Sequence, residues 1–134
     1  MADTLDLEIV TPERQVVKDR AEDVQIPARG GELGILPGHA PLITELAAGE
    51  ISYTNAGVAT RLAVAWGFAE VLPDKVTILA ETAELAKDID VPRAQAARDR
   101  AKDRLQHADA GEAYEEATAD LARAEARLAV ATKQ

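Results

Sequence analysis

The chain is 134 residues long, has no cysteine, and carries 24 acidic against 15 basic residues for a formal charge of -9. That length allows one ordinary domain or two small ones with an unstapled core, and the missing cysteine excludes disulfide frameworks, thiolate zinc sites and thiol catalysis. An acidic chain repels nucleic-acid phosphates, and aromatic residues at 3% are too few for base- or sugar-stacking clefts.

The opening run Met1–Val10, MADTLDLEIV, lacks a basic start followed by an apolar stretch, so it does not read as a signal peptide. No apolar run approaches the roughly 20 residues of a spanning helix. The expectation is a protein soluble in its own right that meets a membrane only through a partner.

The chain changes grammar near residue 88. Seven of the eight glycines and five of the six prolines precede it, while alanine fills 14 of the 47 positions from 88 onward. Gly and Pro punctuate short strands, and Ala is the best helix former. A boundary at about 86–91 therefore separates an all-β part, residues 1–87, from a helical part, residues 88–134.

In the first part Leu5, Leu7 and Ile9 alternate with Asp6 and Glu8, the period of a half-buried strand. Thr11-Pro12-Glu13 forces a turn, and Val16-Val17 begins a second strand. Val24 and Ile26 continue up to Pro27. Gly30 to Gly38 reads as a loop needing positive φ angles, interrupted by the apolar run Leu33, Ile35 and Leu36. Leu42-Ile43 and Leu46 follow, then strands at 50–54, 60–65, 67–72 and 75–80, with turns at Asn55-Ala56-Gly57 and Pro73-Asp74. Strands at this spacing predict an antiparallel sandwich or barrel, and Trp66 is expected in its core.

The second part reads as two helices. Asp90 before Val91-Pro92 is N-cap chemistry with proline in the first turn. Ala94, Ala97, Ala101, Leu105 and Ala108 recur at helical spacing, Asp109-Ala110-Gly111 breaks the run, and Tyr114, Ala117, Leu121, Ala124, Leu128 and Ala131 form a heptad stripe. Two such helices fold back as an antiparallel hairpin. Its alanine seam buries little area, so the hairpin should be marginally stable and easily displaced.

Charge divides along the same lines. Residues 1–87 hold 7 basic and 14 acidic side chains, whereas the first helix sets Arg93, Arg98, Arg100, Lys102 and Arg104 against Asp99 and Asp103. This one electropositive element suits an acidic partner or a phosphate-bearing ligand; the plain alternative is a solvated face of internal ion pairs.

Signals for chemistry are scarce. His39 lies in a turn-rich loop and His107 near a helix end, where a capping role is ordinary. The lone serine, Ser52, is inside a strand, and the glycine-rich stretch lacks a P-loop ending. The most informative arrangement is Ile89-Asp90-Val91-Pro92-Arg93-Ala94. It is first of all a capped helix start. Arg100 lies two turns beyond Arg93, however, and Arg123 and Arg127 share a face of the second helix. In a folded hairpin these arginines can converge on one anion, for which a triphosphate is the natural candidate.

Leu7-Glu8-Ile9-Val10-Thr11-Pro12-Glu13-Arg14, Gly31-Glu32-Leu33-Gly34-Ile35-Leu36-Pro37-Gly38-His39-Ala40-Pro41-Leu42, Gly67-Phe68-Ala69-Glu70-Val71 and Val76-Thr77-Ile78-Leu79-Ala80-Glu81 together resemble the epsilon subunits of bacterial F-type ATP synthases. The likeness runs from about residue 5 to 130, with Trp66 standing where that family usually has a small residue. It implies a β-sandwich followed by a helical hairpin, in a non-catalytic central-stalk subunit on the cytoplasmic face of the bacterial plasma membrane. The sandwich would dock on the gamma subunit and the rotor ring of membrane c subunits. The hairpin would lie folded down or extend toward the catalytic beta and alpha subunits and block hydrolysis. Candidate partner contacts are Arg98, Arg100, Lys102, Arg104 and His39. Ile89, Asp90, Arg93 and Ala94 match a motif through which some members bind ATP as a regulatory ligand, and Glu84, Arg100, Arg123 and Arg127 complete it; no cofactor is required. The rival readings are a binding module with a spacer hairpin and a small nucleotide hydrolase.

Overall fold

The computed structural model describes residues 3–132; the outer limits of the two predicted parts, at 1 and 134, lie outside the described residues. Eight strands come first: β1 (Leu5–Val10), β2 (Gln15–Ala21), β3 (Asp23–Ala28), β4 (Gly31–Ile35), β5 (Leu42–Leu46), β6 (Gly49–Asn55), β7 (Val58–Val71) and β8 (Lys75–Leu85). A single 3-10 turn, Ala86–Asp88, leads to α1 (Val91–His107) and α2 (Glu112–Ala131). This is the expected antiparallel sandwich followed by a two-helix hairpin.

Period-two alternation sets which face each strand buries. Leu5, Leu7 and Ile9 of β1 are fully enclosed while Asp6 points to solvent. The strand path is β2-β1-β8-β7-β5-β3-β4, with β6 joining β3 and β7. Only β1 and β8 run parallel; the other pairs are antiparallel.

The two layers are held together by one long ribbon. The first part of β7 pairs with β6 and its last part with β5, while β8 follows it through both layers. Two separate strands were expected here; instead a single strand bends at Trp66 and Gly67, which have φ of 59° and 127°. Core side chains fall at Leu62 and Val64 before the bend and at Ala69 and Val71 after it, so the alternation slips by one residue. β8 slips at the matching place, between Ala80 and Ala83. A Cβ on Gly67 would stand 1.9 Å from the Leu79 carbonyl oxygen. Glycine is therefore required here twice over, by the dihedral and by the approach of β8.

Trp66 departs from expectation. It is half-buried and sits outside both buried apolar clusters, because the bend turns it out of the alternation that would have carried it inward. Its Nε1 is buried without a hydrogen-bond partner. The glycine-rich stretch also differs from a loop. Residues 31–35 pair with β3 as β4, and positive φ is confined to Gly31 and Gly38 within that stretch. Pro27 does not end its strand: it stays paired opposite Glu32, and its carbonyl accepts the Ala47 N–H at 2.8 Å.

The helices form where caps and alanine content place them. The Asp90 carboxylate accepts the Arg93 backbone N–H at 3.1 Å, with Pro92 in the first turn. Among the buried residues, Ala94 and Ala101 of α1 stand with Ala117 and Ala124 of α2, the spacing of a close-packed seam. The predicted stripe on α2 fails at its first member, since Tyr114 is exposed, and Leu121 and Leu128 are only half-buried. The reason is tertiary. α2 has a second buried face, Ala126 and Val130, and Val130 joins an apolar cluster with Ala63 of β7 and Ile89 of the linker. α2 thus lies on the sheet, and α1 lies against α2.

Replacing Gly67 with alanine should destabilise the sandwich by about 3 kcal/mol or more, since both the left-handed dihedral and the contact with β8 must give. Chemical denaturation of the variant beside the parent chain measures it.

Candidate functional site

A groove of about 570 Å³ opens where the hairpin meets the sandwich. Three segments wall it: the β1–β2 turn, the end of β8 with its linker, and the inner faces of α1 and α2. Of the residues expected at an anion site, Glu84, Asp90, Arg93, Ala94, Arg100, Arg123 and Arg127 all line it. Helical spacing explains the gathering, because Arg93, Ala97, Arg100 and Arg104 share one face of α1, and Asp120, Arg123 and Arg127 one face of α2. Ile89 does not join them. Its side chain is 8% exposed within the apolar cluster beneath α2, so it anchors the helix start and does not face the groove.

The arginines are in two electrostatic states. Arg127 donates to Glu84 at 2.5 Å, tying α2 to β8. Arg104 of α1 and Arg123 of α2 both donate to Asp120, at 2.8 and 2.9 Å, so one carboxylate clasps the two helices. The Arg123 Nε is buried without a partner. Arg93 and Arg100 are exposed and form no ion pair among the described residues. They are open to an incoming anion, whereas the other three must exchange an internal partner for it.

Asp120 is held below the usual carboxylate range, chiefly by the Arg104 hydrogen bond, which outweighs the opposing effect of burial, and further by Arg123. Its clasp therefore contributes stability above the ordinary carboxylate pKa and loses it as pH falls through the depressed value.

The candidate partner contacts are scattered. Arg104 faces the groove, and so does Arg100. Arg98 pairs with its neighbour Asp99 at 3.1 Å, and Lys102 is exposed one turn further along that side of α1. His39 lies between β4 and β5, where its ring N–H donates to the Ala40 carbonyl at 2.7 Å. The positive charge of α1 is thus split between an inward and an outward face. His107 donates back to the Asp103 carbonyl at 2.8 Å, as a helix-end histidine does.

The groove residues that sequence reasoning missed include Thr11, Glu13 and Arg14 of the β1–β2 turn, Glu81 of β8, Asp88 of the linker, and Asp120. Nothing local marks the turn as part of a site; only the return of the hairpin across the sheet brings it there. Asp120 had a legible signal, its place three residues before Arg123 on one helix face. Among the described residues no cluster of three or more His, Cys, Asp or Glu could hold a metal ion. A second hollow of about 530 Å³, near Lys18, Tyr53 and Arg61, contains none of the expected site residues.

The architecture is a two-layer sandwich carrying a clasped helical hairpin, with an arginine-rich groove between them. The matching families agree. Residues 4–86 match the beta-sandwich domain of the ATP synthase Delta/Epsilon chain, and residues 87–132 match its long alpha-helix domain. The ATP synthase epsilon chain of Koribacter versatilis (strain Ellin345) is 69% identical over 106 residues, spanning 79% of this chain and 75% of that one. That of Solibacter usitatus (strain Ellin6076) is 46% identical over 134 residues, the full length of both. In solved structures the fold resembles a chain of the Euglena gracilis mitochondrial ATP synthase OSCP/F1/c-ring assembly, with a TM-score of 0.85 at 21% identity, covering 98% of this chain and 83% of that one. The chain belongs to the ATP synthase Delta/Epsilon chain family. It is a non-catalytic central-stalk subunit of an F-type ATP synthase. No helix among the described residues is long and apolar enough to cross a membrane.

Acidification should loosen the hairpin as Asp120 protonates, and Asp120→Asn should loosen it already at neutral pH while flattening that acid response. Amide hydrogen exchange of α1 and α2, corrected for intrinsic rates, reads both effects.

Proposed function

We propose that the sandwich couples the rotor to the catalytic head and that the hairpin is a movable brake on ATP hydrolysis. In this reading residues 1–87 dock on the gamma subunit and on the ring of c subunits, at the cytoplasmic face of the bacterial plasma membrane. Residues 88–134 alternate between the folded-down pose and one extended toward the alpha and beta subunits. The observation that carries the reading is the seat of α2, a small apolar patch of Ala63, Ile89 and Val130 beside the buried Ala126, tied by the Arg127–Glu84 pair. Alanine burial contributes only about 0.8 kcal/mol per methyl-sized group, and a single half-buried ion pair still in touch with solvent adds modestly. Such a contact can be exchanged for another of similar strength, as a two-state element requires.

ATP is the regulatory ligand of the groove in this reading, held by Arg93, Arg100, Arg123 and Arg127 with Asp90 and Ala94 shaping the α1 entry. At about 100 times its dissociation constant, a ligand specific to the folded-down pose stabilises it by about 2.7 kcal/mol. That is sufficient to invert an equilibrium lying modestly toward the extended form.

Removal of residues 88–134 should raise ATP hydrolysis by the reconstituted catalytic head without impairing assembly. Unchanged hydrolysis would reject the brake. Arg93→Ala should abolish ATP-induced protection of the hairpin in hydrogen exchange, because Arg93 has no internal partner whose loss would confuse the result. Calorimetric titration of the same variant checks the binding directly.

A further inference from the structure

The groove's charges are distributed unevenly between its walls. The hairpin and its linker supply Arg93, Arg100, Arg104, Arg123 and Arg127 against Asp88, Asp90 and Asp120, a cationic excess. The sandwich supplies the carboxylates Glu13, Glu81 and Glu84, and among the described residues that line the groove it supplies one cation, Arg14. A polyanion held by the hairpin alone would face three carboxylates across the groove. Repulsion from that wall would favour the hairpin leaving the sandwich with its ligand.

Arg14 is well placed to reverse that preference. Its backbone is fixed at the base of the β1–β2 turn: the Thr11 N–H donates to the Arg14 carbonyl at 2.9 Å, and the Arg14 N–H donates to the Thr11 hydroxyl at 3.4 Å. A register shift between Ile9 and Val10 sets the angle at which this turn leaves the sheet. Gln15 secures the other side of the turn, donating to Glu8 at 2.9 Å. The Arg14 side chain is exposed and makes no ion pair among the described residues. A free guanidinium on a rigid turn is suited to forked hydrogen bonding with a phosphate oxygen.

We propose that Arg14 is the sandwich-side anchor for the polyphosphate of a bound nucleotide, and that it decides whether nucleotide binding locks the hairpin down or releases it. This rests on the reading of the groove as the ATP site. The ligand acts as an electrostatic bridge, with hairpin arginines on one side and Arg14 on the other. It stabilises the folded-down pose because only that pose brings both sets within reach.

The test uses the full chain, with ATP as the probe. Calorimetry reads affinity, and hydrogen exchange reads the α2 amides and the amides of residues 11–15. Unliganded exchange of each variant should match the parent, since Arg14 has no structural partner. Arg14→Ala should weaken ATP about tenfold and lose ATP-induced protection of α2 even at saturation, while Arg14→Lys keeps part of both. Arg14→Glu should reverse the sign, so that ATP lowers the protection of α2. If the Ala and Glu variants keep parental affinity and protection while Arg93→Ala fails to bind, the anchor is rejected and the site survives. If Arg93→Ala binds ATP as the parent does, or the parent binds none, the site itself is rejected and the anchor with it.

Discussion

The architecture depends on the contact between α2 and the outer face of β7. It is made of few side chains: Val130 packs with Ala63 and Ile89, edged by the partly buried Ala86, Val91 and Ala131. Everything distal to it inherits that modest hold, because α1 is packed on α2 and not on the sheet. The seat is firm enough to orient five arginines toward one groove. It lacks the interlocking of large residues that would make the pose irreversible. The core inside the sandwich is of a different kind, with the larger side chains Leu5, Leu7, Ile9 and Leu62 fully enclosed.

Polar contacts refine this weak apolar base. Asp120 clasps α1 to α2, and Glu84 ties α2 to the platform, so two carboxylates hold three of the five hairpin arginines in the groove. Surface pairs contribute little individually, and their value here is geometric. They fix the direction of guanidinium groups that a ligand would otherwise have to order at its own entropic cost. An anion entering the groove meets Arg93 and Arg100 already free and competes with carboxylates for the rest. On the proposed reading, such a site would respond to ligand concentration, pH and ionic strength together.

The sandwich is rigid for a different reason. β7 and β8 pass through both layers as one bent ribbon, so the layers cannot shear without breaking a continuous ladder. The bend is placed by Gly67, whose missing side chain admits the Leu79 carbonyl. Past the bend the ribbon presents Phe68 and Leu79 outward as a cross-strand pair, 53% and 55% exposed.

Much of this was legible in the residues. Alternation in β1, the Asp90 cap, the alanine-rich tail and the distinctive stretch from Gly31 to Leu42 establish two parts, their order and the family, because periodicity, capping and turn chemistry are local properties. Helical spacing likewise places Arg93 with Arg100 and Arg123 with Arg127. What required the folded chain was every relation between parts distant in sequence. The bend that merges two expected strands, the exclusion of Trp66 from the core, the second buried face of α2 and the burial of Ile89 all follow from how the hairpin and the ribbon pack. Arg14 is the clearest case. In the sequence it is an ordinary charged residue ending a turn, and its meeting with α1, some eighty positions later, is decided by tertiary packing alone.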